Sequence, residues 1–93
     1  MADELVVGTV VAAAHPPGTR VPALLLTVDL GPRGSRDALL PTGSYVPSEL
    51  EGTQVVCRLD EDGTAVVAGA ESHGKGFVLV RPDAEVEPGT IVS

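Results

Sequence analysis

Short apolar runs, separated by glycine and proline, make up most of the chain, and the clearest of them alternate apolar with polar residues. From Ala23 to Leu30 every even-numbered residue is Leu or Val, whereas Thr27 and Asp29 fall on the other face. Gln54 to Leu59 repeats the pattern, with Val55, Cys57 and Leu59 predicted inward and Gln54 and Arg58 outward. A period of two is typical of strands with one core face. No stretch keeps a 3.6-residue period over three turns, so the pattern predicts an all-β protein.

The remaining runs predict further short strands and one helical turn. Leu5 to Ala14 is a long strand with apolar residues on both faces, and Gly8 is expected to mark a bulge or a bend. Residues 42–52 hold the helical turn, which begins near Pro47 and stops at Gly52. Residues 31–37 are expected to form a turn and Pro88-Gly89 another. The other predicted strands are Ala38 to Leu40, Thr64 to Ala70, Phe77 to Val80 and Thr90 to Val92.

Five or six strands around one helical turn in 93 residues predict a single domain, residues 1–93, built as a small Greek-key barrel of the OB type. A β-sandwich or an SH3-like barrel would give a similar string of elements. Tyr45 and Phe77 are the only aromatic residues, so the core is expected to consist of Val, Leu and Ala. Such a domain is marginally stable, and its two-faced apolar strands predict a homodimer that buries the second face.

The net charge of the chain disfavours some classes of function. Six basic and thirteen acidic residues give a net charge of −7, which disfavours unspecific binding to nucleic acid or to an anionic membrane surface. There is no signal-peptide pattern and no apolar run approaching the ~20 residues that cross a bilayer. We therefore expect a soluble, cytoplasmic protein.

No residue pattern indicates catalysis, a cofactor or a metal. Asp60-Glu61-Asp62-Gly63 resembles the start of a calcium loop, but a strand follows where the bidentate Glu should come, so a hairpin turn is predicted. Cys57 is expected to be a buried, inert thiol. His15 and His73 lie far apart in the sequence, and the serines lack a nucleophile elbow. The chain is predicted not to be an enzyme.

Four segments carry a resemblance to a known family. They are "VGTVV" (7–11), "HPPGTRVPALLLTVDLG" (15–31), "YVPSELEGTQVV" (45–56) and "GFVLVRPDAEVEPGTIV" (76–92). In this order they resemble the CsaA proteins, relatives of the tRNA-binding domain appended to some methionyl-tRNA synthetases. The resemblance implies an OB fold, a homodimer, and a role in binding tRNA or in binding unfolded proteins as a chaperone. It implies no cofactor and no reaction.

The chain departs from the family pattern where relatives contact nucleic acid. A longer segment with two basic residues is replaced here by "DEDGT" (60–64), and the serines and glutamine of another passage are replaced at 37–42. Our leading hypothesis is a homodimeric CsaA-like protein that binds a polypeptide or protein partner, its tRNA surface degraded. The alternative is a tRNA- or RNA-binding protein that uses scattered arginines. The candidate contacts for nucleic acid or a partner are Arg20, Arg33, Arg36 and Arg58.

Overall fold

Five strands close into a barrel in the computed structural model, which describes residues 4–18, 22–42, 44–62 and 64–92. The barrel order is β1-β2-β3-β5-β4, and every neighbouring pair is antiparallel except β3 and β5. One short helix, α1, lies between β3 and β4, and two further strands form a separate hairpin. This is the predicted OB-type barrel. The elements are β1 (Glu4–Ala14), β2 (Leu24–Asp29), β3 (Ser35–Leu40), α1 (Pro47–Leu50), β4 (Gln54–Leu59), β5 (Ala65–Val67), β6 (Gly69–Ser72) and β7 (Gly76–Leu79).

The alternation in β2 and β4 fills the barrel as the sequence predicts. The even-numbered residues from Leu24 to Leu30 are fully buried, and so are Val55 and Cys57 of β4. Leu50 projects from α1 into the same cluster, which anchors the helix to the barrel. The core is made almost entirely of Leu, Val and Ala. Within the described residues α1 is four residues long, and no helix there has the length and apolarity to cross a membrane.

β1 is long because it pairs with two neighbouring strands. Its first half, through Thr9, pairs with β4, and from Thr9 onward it pairs with β2. The register shifts between Val10 and Ala12, so the bulge lies three residues beyond the glycine at which we expected it. Gly8 has a different role: a Cβ there would lie 2.2 Å from a methyl carbon of Val28. The missing side chain leaves room for the Val28 side chain of the neighbouring strand β2 to pack against β1.

The predicted boundaries of β3 were wrong. Residues 31–37 were expected to be a turn, but a 3₁₀ turn occupies only Gly31–Arg33, and the strand starts at Ser35. Gly34, with φ of 81°, ends the turn, and its carbonyl accepts from the Leu30 N–H at 2.9 Å. Ser35, Arg36 and Asp37 are then held as strand by pairing with β2, a tertiary effect that their polar character does not indicate.

The single strand predicted over 64–70 is two strands in different sheets. Ala68 separates β5 from β6, and its backbone connects three parts of the chain. Its N–H donates to the Val56 carbonyl at 2.8 Å, and its carbonyl accepts from the Val80 N–H at 3.2 Å. The hairpin of β6 and β7 is thereby joined to β4 at its base. Along most of its length the hairpin is exposed.

The residues after β7 run back along β1, and residues 81–92 are called the C-terminal segment below. The predicted Pro88-Gly89 turn is confirmed: the Thr90 N–H donates to the Glu87 carbonyl at 3.1 Å, and Gly89 has φ of 92°. The strand predicted over 90–92 is reduced to one bridge, between Ile91 and β1.

Backbone hydrogen bonds nevertheless hold the C-terminal segment to β1. The Gly89 N–H donates to the Val7 carbonyl at 2.7 Å, and the Val7 N–H donates to the Thr90 carbonyl at 2.8 Å. The Gln54 side chain fixes the middle of the segment, donating to the Val86 carbonyl at 2.6 Å and accepting from the Val86 N–H at 3.0 Å. The segment is therefore bonded along the first half of β1 and tied to β4 through Gln54.

Candidate binding groove

Three neighbouring strands carry large apolar side chains on the outside of the barrel. In β2, β3 and β5 the inward positions are occupied by core residues, so Leu25, Leu39 and Val66 point outward. Leu25 is the cross-strand partner of Leu39, which in turn is the partner of Val66. Leu25 is 37% exposed and Leu39 is 52% exposed. The result is an apolar ladder that crosses three strands in contact with solvent.

The ladder forms the floor of an open cavity of about 530 Å³, called the first cavity below. Pro41 and Phe77 add apolar surface to it, and Asp37 and Thr64 lie at its polar edge. The Thr27 hydroxyl donates to the Asp37 carboxylate at 3.2 Å, which orients that charge at the edge of the cavity. An apolar cavity with one oriented charge suits a ligand that is mainly apolar.

A second cavity, of about 280 Å³, continues from the first around the barrel. It is lined by Leu5 and Arg58, and it shares Val66, Val67 and Phe77 with the first cavity. The two cavities together are called the outer groove below. The groove crosses β2, β3, β5, β4 and β1, which at about 5 Å per strand makes roughly 20 Å.

Phe77 lies between the two cavities, and a glycine holds it there. The Phe77 ring lies directly over Gly69 of β6, two residues along that strand from Glu71, the cross-strand partner of Phe77. A Cβ at Gly69 would be 2.2 Å from Cζ of the ring and 2.4 Å from Cε2, distances at which the ring must move. Only glycine at this position allows the ring to rest where it borders both cavities.

Sequence reasoning missed the outer groove. Leu25 was assigned to the more polar face of its strand, and Leu39 to a strand of three residues. The available signal was a leucine at two outward positions, which an exposed strand face normally fills with polar residues. The pairing of β2 with β3 and of β3 with β5, which joins these leucines to Val66, is not visible in the local pattern.

The predicted arginine contacts are largely engaged with neighbouring groups. Arg33 forms an ion pair with Glu4. The hydrogen bond between these side chains lowers the pKa of the Glu4 carboxyl and raises the pKa of the Arg33 guanidinium. The Arg36 guanidinium donates to the carbonyl oxygens of Arg33 at 2.8 Å and of Ser35 at 3.2 Å, which ties it to the 3₁₀ turn.

Arg58 belongs to β4, where its Nε donates to Asp60 at 3.3 Å. The structure therefore brings Arg33 and Arg36 together at one turn and pairs Arg58 with an acid of the neighbouring turn. Arg20 lies outside the described residues. An ion pair reduces the attraction that each arginine exerts on a phosphate.

The aromatic side chains are also engaged. The guanidinium of Arg81 lies over the Tyr45 ring, 5.9 Å from its centre, and the Tyr45 hydroxyl accepts from the Leu79 N–H at 3.0 Å. Phe77 has Gly69 beneath its ring. Tyr45 is thus used within the protein, which leaves Phe77 as a single, partly exposed ring, whereas binding of single-stranded nucleic acid relies on several exposed aromatic faces.

The acidic turn is a hairpin connection. The Asp60 N–H donates to the Thr64 carbonyl at 2.9 Å, and the Asp62 carboxylate accepts from the Thr64 N–H at 2.9 Å. The latter bond lowers the pKa of Asp62. Gly63 lies outside the described residues. Among the residues that the structure describes, no three His, Cys, Asp or Glu side chains converge as a metal site. Cys57 is buried as expected, and burial raises the pKa of its thiol to about 11.

Solved structures with the same fold agree with the family resemblance seen in the sequence. No family model matches the chain, and no curated protein matches it. A chaperone CsaA from Bacillus anthracis superposes with a TM-score of 0.87 at 29% identity, over 98% of this chain and 91% of the other. A CsaA chaperone from Picrophilus torridus gives 0.86 at 21% identity, over 98% and 92%. A MetRS-related protein from Pyrococcus horikoshii gives 0.77 at 23% identity, over 98% and 90%. The resemblance to CsaA is therefore confirmed as a structural match over nearly the whole chain, and the OB fold is confirmed with it.

Proposed function

We propose that this chain is a non-enzymatic, CsaA-like binding protein that holds segments of polypeptide in its outer groove, in the manner of a chaperone. The observation that carries the proposal is the exposed ladder of Leu25, Leu39 and Val66. Burying a leucine side chain completely contributes about 1.5–3 kcal/mol, so covering these half-exposed side chains contributes about 1 kcal/mol each. The groove therefore favours weak, reversible capture of apolar side chains. The likeness to two CsaA chaperones supports the same role.

Charge supports polypeptide over tRNA. The net charge of −7 repels a phosphate backbone, and Arg33 and Arg58 each have an acidic partner. The resemblance to CsaA implies that the acids of residues 60–62 replace basic residues of the family. Binding of tRNA through Arg20, Arg33, Arg36 and Arg58 remains the alternative function.

We also propose that the protein works as a homodimer, with the hairpin of β6 and β7 as the contact. Val78 and Val80 lie on one face of the hairpin, 36% and 42% exposed, while Leu79 on the other face is buried. A two-stranded hairpin is marginally stable in water by itself. A second protomer that covers Val78 and Val80 would stabilise it. Light scattering is expected to give twice the chain mass, and a single-chain mass at tens of micromolar protein would contradict the dimer.

Two titrations on the same protein test the proposed function. Fluorescence anisotropy is measured with a labelled, permanently unfolded polypeptide of neutral net charge, and separately with labelled tRNA, each at low and at moderate salt. We expect saturable binding of the polypeptide that changes little with salt, and no binding of tRNA. Micromolar binding of tRNA with a steep negative salt slope, in the absence of polypeptide binding, would support the alternative function.

A further inference from the structure

We propose that the outer groove recognises an extended segment with two apolar side chains on one face, one for each cavity, and that Gly69 sets this selectivity by positioning Phe77. This inference rests on the proposed function and adds the class of polypeptide that the groove selects. Among the residues that line the groove, Val66, Val67 and Phe77 belong to both cavities, so one ligand can occupy both without leaving the surface.

An extended chain can reach from one cavity to the other. The first cavity lies over β2, β3 and β5, and the second over β5, β4 and β1. Their centres are thus about two strand spacings apart, or about 10 Å. In an extended segment, side chains on one face are ~7 Å apart at i and i+2 and ~14 Å apart at i and i+4, so the separation of the centres lies between these two spacings. Side chains at i and i+3 point to opposite faces, so such a pair cannot enter both cavities.

Charge selects what flanks the apolar residues. Asp37 and Arg58 are the charged groups among the described lining residues, and Arg58 is paired with Asp60. Asp37 lies at the edge of the first cavity, and its described partner is the neutral Thr27 hydroxyl. A Lys or Arg next to the first apolar side chain therefore meets a complementary charge, whereas an acid there meets repulsion. The preferred segment is apolar and basic.

The Phe77 ring gives the groove its two-part form. Its position depends on the absence of a side chain at Gly69, where a Cβ would lie 2.2 Å from the ring. In Gly69→Ala the ring must move into one cavity or the other. In Phe77→Ala the wall between the cavities is lost. Each change reduces the preference for two separated side chains, and because Phe77 packs against the core cluster, the stability of Phe77→Ala is measured beside its binding.

The experiment uses short labelled peptides of one composition with two leucines in a Gly-Ser background, spaced i,i+2, i,i+3 or i,i+4, beside a Lys. We expect the better of the two same-face spacings to bind about tenfold more tightly than i,i+3, since one more leucine is buried. Exchange of the Lys for Glu is expected to weaken binding about twofold to fivefold, and Asp37→Asn is expected to remove this difference.

The role of Gly69 is tested by a double-mutant cycle. Gly69→Ala is expected to lower the same-face preference to less than threefold in the wild-type background and to have no further effect in Phe77→Ala, where no ring is present. Circular dichroism checks that each variant is folded, and if Gly69→Ala alone is unstable, the comparison of wild type with Phe77→Ala still tests whether the ring sets the preference.

The outcomes of these experiments distinguish a failure of this inference from a failure of the proposed function. Equal affinity for all three spacings, or an undiminished preference in Phe77→Ala, would overturn the inference while leaving the proposed function standing. Absence of binding to every peptide and to the unfolded polypeptide would overturn both. If Leu39→Glu halves the mass of the protein in light scattering, the groove is occupied by a second copy of the chain and the inference is wrong.

Discussion

Two cross-strand pairs of outward-pointing apolar residues on the same barrel differ in their exposure to solvent. Val7 of β1 pairs with Val56 of β4, and both are buried, at 4% and 6% exposure, although they lie outside the core cluster. Leu25 of β2 pairs with Leu39 of β3, and these are 37% and 52% exposed. The C-terminal segment is hydrogen-bonded beside the first pair, to the backbone of Val7 and to the Gln54 side chain.

This difference in exposure separates outward apolar residues that stabilise the fold from those that a ligand can contact. An outward apolar side chain contributes to folding only when something covers it. Val7 and Val56 are covered by the chain itself, and the backbone of Val7 is bonded to Gly89 and Thr90. Leu25 and Leu39 stay in contact with solvent in the described chain. Outward apolar residues of one barrel therefore contribute to folding on one side, and on the other side they form the floor of the proposed binding groove.

The largest expected effect comes from placing a charge in each pair. Val56→Asp is expected to lower the free energy of unfolding by about 4 kcal/mol, because it places an unpaired carboxylate at a buried position. Leu39→Asp is expected to change it by less than about 0.5 kcal/mol, because the site is exposed. Urea denaturation of the two variants measures the difference. Equal losses in both would contradict the contrast between the two faces.

The Cys57 thiol is buried in the barrel core, and its pKa measures how well that core excludes water. Burial raises the pKa of its thiol from 9.0 to about 11, so the folded state holds the proton more tightly than the unfolded state does. Stability from this group is fully present below pH 9 and is lost as the pH rises towards 11. The loss reaches about 2–3 kcal/mol.

The check is a comparison of urea denaturation at pH 8 and at pH 11. We expect wild type to lose more stability than Cys57→Ala, which lacks the thiol but keeps every other titrating group. Parallel pH dependence in both proteins would show that the interior is open to water.

A smaller loss of stability is expected when the attachment of the C-terminal segment to Gln54 is removed. Gln54→Ala removes both side-chain bonds to the Val86 backbone and is expected to lower the free energy of unfolding by about 1–2 kcal/mol. Hydrogen exchange at the Gly89 and Thr90 amides should rise more than exchange in the core strands β2 and β4. Uniform acceleration across all strands would show that the segment and the barrel open together.

The sequence predicts the fold well where one strand carries its own pattern. The even-numbered residues of β2 and the inward residues of β4 reached the core as predicted, because a period of two is a local signal. The start of β3 and the split at Ala68 were not predicted, because they depend on hydrogen bonds to strands distant in sequence.

The same limit applies to the site. Arg33, Arg36 and Arg58 were named from charge alone, and the structure adds that Arg33 and Arg58 are ion-paired and that Arg36 bonds to the 3₁₀ turn. The outer groove was missed because its floor is assembled from three strands, and only tertiary pairing places Leu25, Leu39 and Val66 side by side.

The most direct test of the account compares two equally exposed residues. Leu39 is 52% exposed within the groove, and Val11 is 53% exposed on β1 outside the groove lining. Binding of the labelled unfolded polypeptide is titrated with wild type, Leu39→Glu and Val11→Glu under the same conditions. The account predicts at least a tenfold loss of affinity for Leu39→Glu and wild-type affinity for Val11→Glu, since only one of the two charges enters the groove. Equal losses in both variants, or no loss in either, would contradict it.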